Sequence, residues 1–250
     1  MNASAALEHG TTGLWYGRII EFIGTHARSE TRAQLLCDLS DELLYNLKWL
    51  ESHGEPVRGV APKELEVKEE ITGVGDLGES GGEVALFQFD IRPVSANSVN
   101  RMLRHMEFNR EDLLTLCELL GSEQMRLVPP GKGRSIEGIL VHICNAEEFY
   151  ISRMGADADR LYETRLGMPV AEADELPVFE RLRVVRAACV GTLRELVPDL
   201  HDSVFTRTKY SKYPEEQWTA HKVMRRFLEH EREHIYNIRE YLELPIRHLA

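Results

Sequence analysis

The second part of the chain, after Pro93, contains four long segments in which apolar residues recur at helical spacing. The segments cover residues 98–120, 135–155, 177–198 and 219–244. A helix with one apolar stripe has to bury that stripe, and four such helices joined by loops can bury their stripes in one core. The spacing therefore predicts an all-α four-helix bundle over residues 94–250.

The residues before Pro93 follow a different pattern, in which short stretches typical of strands flank a single helix. The expected order is strand, strand, helix, strand, strand, at residues 14–24, from 25, 32–52, 65–71 and 85–91. The glycine-rich residues 73–82 are expected to form the loop of a hairpin between the last two strands. The chain is thus predicted to be multi-domain, with a small α+β domain at residues 1–93.

The charge and hydropathy of the chain argue against several classes of partner and location. A formal net charge of -11 disfavours binding to nucleic acid and to anionic membrane surfaces. No apolar run approaches the ~18 residues that a membrane span requires, and residues 1–10 lack the pattern of a signal peptide. Four scattered cysteines without a C-x-x-C pair indicate a reducing compartment, with each cysteine buried as a small apolar residue. We therefore expect a cytoplasmic protein.

Three histidines are predicted to point into the core of the helical part. His230 and His234 are four residues apart, so they lie one turn above the other on an otherwise apolar helix face. His142 lies on the apolar face of the second helix. Buried imidazoles without partners are unfavourable, whereas three around a zinc, nickel or iron ion satisfy one another and leave coordination positions open. The alternative is that they are hydrogen-bonded core residues.

Polar neighbours of these histidines are candidates for catalytic roles. Glu231 and Glu233 flank the metal-facing direction at similar angles, and either could be a base or only a solvated charge. Asn237 and Tyr241 lie closer to that direction. They could orient a water molecule or a substrate oxygen, or belong to the core. The predicted site therefore consists of three metal ligands with Glu231, Asn237 and Tyr241 beside them.

The segments 135–150 and 218–242 resemble the second and last helices of DinB-like proteins, and the resemblance extends over residues 93–244. It implies a four-helix bundle, commonly a homodimer, with a metal site at His142, His230 and His234. Some relatives transfer a low-molecular-weight thiol to an electrophile, and others look like metal-dependent hydrolases or isomerases. The hypothesis is an enzyme, a hydrolase or thiol S-transferase, that activates water or such a thiol against a small electrophilic substrate.

The N-terminal part resembles the HicB-like antitoxin fold. The residues that carry this resemblance are 14–22, 39–47 and 54–56. It implies a module that binds a partner or a ligand. This resemblance keeps open a second hypothesis, a non-catalytic protein in which the metal is structural or sensory.

Two other metal sites are compatible with part of the pattern. His230-Glu231-x-x-His234 matches the H-E-x-x-H pattern of zinc hydrolases, with Glu231 as the base. The longer metzincin pattern requires glycine and histidine where this chain has Asn237 and Glu240. A di-iron carboxylate site requires a second Glu-x-x-His, and the second helix provides none.

Overall fold

The computed structural model describes residues 3–57 and 65–248, and the chain divides into two compact units. The first unit comprises the described residues of 1–92, 206–217 and 247–250, and the second comprises 93–205 and 218–246. Two late segments thus group with the first unit. The predicted domains at residues 1–93 and 94–250 stay a prediction.

The first unit is built on a four-stranded sheet. Its strands are β1 (Ala3–Gly10), β2 (Trp15–Ile19), β3 (His26–Ser29) and β4 (Leu65–Val74), in the order β3-β2-β1-β4. β1 is antiparallel to β2 and parallel to β4. The helix α1 (Arg32–Ser52) confirms the helix predicted at residues 32–52, and its leucines pack with Ala5, Leu7 and Ile19 of the sheet.

Two predictions for this unit are wrong. Residues 85–91 are not a strand, because Phe87 precedes a short helix, α2 (Gln88–Ile91), and no hairpin joins this segment to β4. The apolar residues Phe87 and Phe89 are two positions apart, as in a strand, because both pack against the sheet face that includes Ala6 and Tyr16. The strand β1 was not predicted, since its alanine-rich sequence lacks the β-branched residues that indicate a strand.

Gly17 permits the close approach of α1 to β2. A Cβ atom at this position would lie 2.4 Å from Cδ1 of Leu39 and 3.0 Å from Cδ2 of Leu7. We expect Gly17→Ala to lower the free energy of unfolding by about 1–3 kcal/mol, because the added methyl group overpacks this core. Urea unfolding would measure the change. Gly133→Ala is the control, since nothing lies within 4 Å of its Cβ position, and an equal loss in both variants would contradict the explanation.

The second unit is largely helical. Its helices are α3 (Ala96–Cys117), α4 (Ser122–Arg126), α5 (Ile136–Ser152), α6 (Ala156–Leu166), α7 (Val170–Asp174), α8 (Val178–Leu200) and α9 (Ala220–Tyr241). A two-stranded ribbon, β5 (Val204–Phe205) with β6 (Trp218–Thr219), precedes α9. The long helices α3 and α5 each pack against both α8 and α9. None of the helices in the described ranges has the length and apolar character to cross a membrane.

The predicted helix starts are confirmed where a capping residue defines them. Ser135 accepts a hydrogen bond from the backbone N–H of Gly138, and Thr219 accepts one from that of Lys222, both at 3.1 Å. Two predicted ends are wrong. The first of the four helices, α3, ends at Cys117 rather than at residue 120, and α8 continues through Pro198 to Leu200. The short helices α6 and α7 between the predicted segments were not anticipated.

Candidate metal centre

Three imidazole rings from two helices meet in the second unit. α5 places His142, and α9 places His230 and His234 one turn apart. The Nε2 atom of His230 lies 3.2 Å from Nε2 of His142 and 3.1 Å from Nε2 of His234. One ligand atom from each of the three histidines lies within 4.8 Å of the others. In the described part of the chain, no other group of histidine, cysteine and carboxylate side chains is arranged to hold a metal ion.

The geometry and the protonation of these rings both fit a divalent ion. Ligand nitrogens about 2.0–2.1 Å from one ion lie about 3.0–3.4 Å from each other, which matches the two short separations. Burial lowers the pKa of His230 well below its ordinary value, and its neighbour His234 lowers it further. Burial and Arg134 also lower the pKa of His142. Neutral imidazole is the form that binds a metal, so His142 and His230 are prepared for ligation near neutral pH.

Asn237 and Tyr150 contact the histidine cluster. The side-chain amide of Asn237 lies 3.3 Å from Nδ1 of His234, the ring nitrogen that faces away from the cluster. An imidazole that binds a metal through Nε2 donates from Nδ1–H, so Asn237 can orient the ring of His234 when its amide group is rotated to present the oxygen to Nδ1. The ring of Tyr150 meets His230 edge-on at 5.8 Å, and its hydroxyl accepts a hydrogen bond from Arg226 at 3.3 Å. Tyr150 and Arg226 were not predicted, although Arg226 lies one turn before His230 on α9.

Glu231, a predicted catalytic residue, is bound by two arginines. Its two carboxylate oxygens accept hydrogen bonds of 2.7 Å from Arg110 and from Arg186. Burial alone would raise the pKa of Glu231, but these two guanidinium groups hold it below its usual range. A carboxylate with a lowered pKa is a weak proton acceptor, which disfavours the zinc-hydrolase pattern with Glu231 as base.

Glu233 is the carboxylate that acts electrostatically on the histidine side. Burial and Arg134 lower the pKa of His142, and the charge of Glu233 opposes them. The same charge contributes to raising the pKa of Tyr150, after the larger effect of burial. Tyr241 instead lies beneath the ammonium group of Lys132, 5.5 Å from the ring centroid, and lines a groove of about 240 Å³. Of the predicted polar neighbours, Asn237 contacts a ligand candidate directly.

Residues 105–238 match the family model of the DinB superfamily, which is more than half of the 250-residue chain. The chain belongs to the DinB superfamily. The matched DinB segment includes His142, His230 and His234 and extends from α3 to α9. Comparison with curated proteins and with solved structures finds no significant match. The DinB match does not include residues 1–92, whose HicB-like fold stays a prediction.

The cysteines of this DinB superfamily protein lie outside the histidine cluster. Cys117, Cys144 and Cys189 are buried as predicted, whereas Cys37 is exposed, because it lies on the solvent-facing side of α1. Burial raises the pKa of Cys117 and of Cys144 to about 12, and the pKa of Cys189 well above its ordinary value.

We expect a thiol reagent to modify Cys37 alone in the native protein at mildly alkaline pH. The thiolate is the reactive form, and the three buried thiols stay protonated and inaccessible. Titration with a chromogenic disulfide would count the reactive thiols before and after denaturation. In Cys37→Ser the fast reaction should disappear, and rapid modification of that variant would contradict the predicted burial of the other three.

Proposed function

We propose that His142, His230 and His234 hold one divalent metal ion and that the protein is a metal-dependent enzyme. The observation that carries this proposal is the convergence of three Nε2 atoms at separations of 3.1 and 3.2 Å. Three protein ligands leave coordination positions for water or substrate, as catalytic sites require. Membership of the DinB superfamily supports the same assignment.

The proposed reaction is attack by water or a low-molecular-weight thiol on a small electrophilic substrate. A divalent ion held by the histidines supplies Lewis acidity, which lowers the pKa of a water or thiol beside it. Asn237 would keep the ring of His234 oriented by accepting a hydrogen bond from its Nδ1–H through the amide oxygen. As the oxygen or sulfur of the nucleophile bonds to the electrophilic atom, the bond between that atom and its leaving group breaks, and the leaving group departs with the electron pair. Glu233 is proposed to accept the proton that the nucleophile loses, since its charge acts on His142.

We also propose that α3, α5, α8 and α9 form the four-helix bundle of the family. The mutual packing of these helices supports this arrangement. Each of the four also contributes one charged side chain to a common buried cluster, which is a further argument for a shared core. Association of two chains as a homodimer remains a prediction.

Metal titration of untagged, metal-free protein tests the proposal. We expect one equivalent of zinc or cobalt to bind per chain, as measured by competition with a chromophoric chelator. A tag is omitted because its histidines bind metal themselves. Absence of stoichiometric binding would reject the metal centre and, with it, the proposed enzyme.

An activity screen then tests the reaction class. The probes are a low-molecular-weight thiol with an aryl halide electrophile, and an ester for hydrolysis. Turnover should require the metal, and so should be lost on chelation and restored when metal is returned. Glu233→Gln should lower kcat while metal binding stays intact. If chelation changes the rate equally in a heat-denatured control, the observed reaction is not catalysed by the folded protein.

A further inference from the structure

Four buried charged residues form a closed cluster, here called the ion-pair tetrad. Its members are Arg110 of α3, Glu147 of α5, Arg186 of α8 and Glu231 of α9. All four residues are buried, with 8% exposure or less. The two positive and two negative charges balance, so the cluster is neutral as a whole.

Each guanidinium group of the tetrad bridges both carboxylates. Arg110 donates from Nη2 to Glu147 at 2.6 Å and from Nε to Glu231 at 2.7 Å. Arg186 donates from Nε to Glu147 at 3.1 Å and from Nη2 to Glu231 at 2.7 Å. The planar fork of arginine fixes the direction as well as the length of such contacts. Arg110 and Arg186 therefore each fix the position of Glu147 relative to Glu231.

The remaining donors tie the two arginine-bearing helices to each other. Arg110 of α3 donates from Nη1 to the backbone oxygen of Leu182 in α8 at 2.7 Å. Arg186 of α8 donates from Nη1 to the backbone oxygen of Met106 in α3 at 3.1 Å. Both guanidinium groups are therefore held by α3 and α8, two helices that carry none of the three histidines.

The two carboxylates of the tetrad belong to the helices that carry the histidines. Glu147 follows His142 by five residues on α5, and Glu231 is the immediate neighbour of His230 on α9. A helix rotates and translates as a unit over such short distances, so a fixed carboxylate also fixes the histidine beside it. Rotation of either helix would break at least two charged hydrogen bonds and separate the ring nitrogens.

We propose that the tetrad positions the histidines, so that Arg110, Glu147, Arg186 and Glu231 are positioning residues of the metal centre. This inference rests on the proposed function. Buried ion pairs contribute little net stability compared with apolar residues of similar size. What an apolar residue such as methionine could not replace is the fixed relative position of the helices that the ion pairs join. The tetrad holds α5 and α9 in the register at which the Nε2 atoms converge.

A pair deletion and a matched control test this proposal. The deletion is Glu147→Gln with Arg186→Met, which removes one charge of each sign and leaves the core neutral. The control is Glu148→Gln with Arg181→Met, which makes the same changes on the same two helices. Arg181 and Glu148 form an ion pair at 3.6 Å, and the control leaves all four tetrad residues unchanged.

Cobalt binding and its visible absorption spectrum are the first readout. We expect the pair deletion to weaken cobalt affinity at least about tenfold and to alter the ligand-field bands, as loss of outer-shell positioning does at other metal sites. The control should stay within about threefold of wild type with the same bands. Equal affinity and equal spectra in the pair deletion and the wild type would overturn the proposal.

Contacts between the rings of the metal-free protein are the second readout. Nuclear Overhauser effects between His142 and His230 should be present in the wild type and the control, and lost in the pair deletion. The two readouts together distinguish failure of the proposed metal site from failure of positioning by the tetrad. Wild type that binds no cobalt would reject the proposed function, whereas retained ring contacts in the pair deletion would reject positioning by the tetrad.

Arg186→Lys provides the same test if the pair deletion does not fold. Lysine keeps the charge but lacks the fork that reaches Glu147 and Glu231 together. We expect weaker cobalt binding and altered bands, with most of the secondary structure retained. Wild-type affinity and bands in Arg186→Lys would show that charge alone suffices and would overturn the proposal.

Discussion

Replacing His230 with alanine is expected to lower metal affinity by at least about a hundredfold, because it removes one of three protein ligands. His230 is also the ring that joins the other two, at 3.2 Å from His142 and 3.1 Å from His234. The measurement is metal content of untagged protein by mass spectrometry, together with cobalt titration. His142→Ala and His234→Ala should show the same loss, since each removes one ligand.

The matched control for this experiment is His221→Ala. His221 lies half-buried on α9, the same helix, and is not part of the three-histidine cluster. Its replacement should leave the stoichiometry at one ion per chain. Equal metal content in wild type and in the three ligand variants would mean that the histidines are a hydrogen-bonded core cluster, and the proposed enzyme would lose its basis.

Removing a single charge from the tetrad is expected to destabilise the second unit by about 3–5 kcal/mol. In Arg186→Met, Glu147 and Glu231 would share only Arg110, and the buried core would carry a net negative charge. Deleting Glu147 as well, in the pair Glu147→Gln with Arg186→Met, restores neutrality and should recover most of that loss. Urea unfolding of metal-free protein would measure both variants.

An exposed ion pair provides the comparison for this stability effect. Arg126 pairs with Glu137 at 3.3 Å, and its side chain is 73% exposed. Because solvent screens such a pair, Arg126→Met should change the free energy of unfolding by less than about 1 kcal/mol. If Arg186→Met lowers the free energy of unfolding no more than Arg126→Met does, the view that each buried charge of the tetrad needs its partners is contradicted.

The local features of the helical unit were predictable because they depend on residues close together in the chain. The helical period placed His230 and His234 on one face, and the capping residues Ser135 and Thr219 defined where α5 and α9 begin. The alignment of His142 with apolar neighbours indicated that it faces the core. All three therefore followed from the 3.6-residue repeat without knowledge of the fold.

The sequence contains an indication of the tetrad, although the tetrad was not predicted. Arg110, Glu147, Arg186 and Glu231 each fall on the apolar stripe of their own helix, where a charge requires a buried partner. Two positive and two negative charges at core positions of four helices are sufficient to suggest mutual pairing. The partners themselves could not be assigned, because Arg110 and Glu231 are 121 residues apart.

The sequence by itself determined which residues share a helix face, and so which three imidazoles could meet at one ion. Only the tertiary structure decided which of the two carboxylates beside them pairs with buried arginines. Glu231 and Glu233 flank the ligand direction at similar angles, and α9 alone does not distinguish them. Arg110 and Arg186 reach Glu231 from α3 and α8, whereas the charge of Glu233 acts on His142. The helical repeat is a local property, whereas the neighbours of each face depend on contacts between distant parts of the chain.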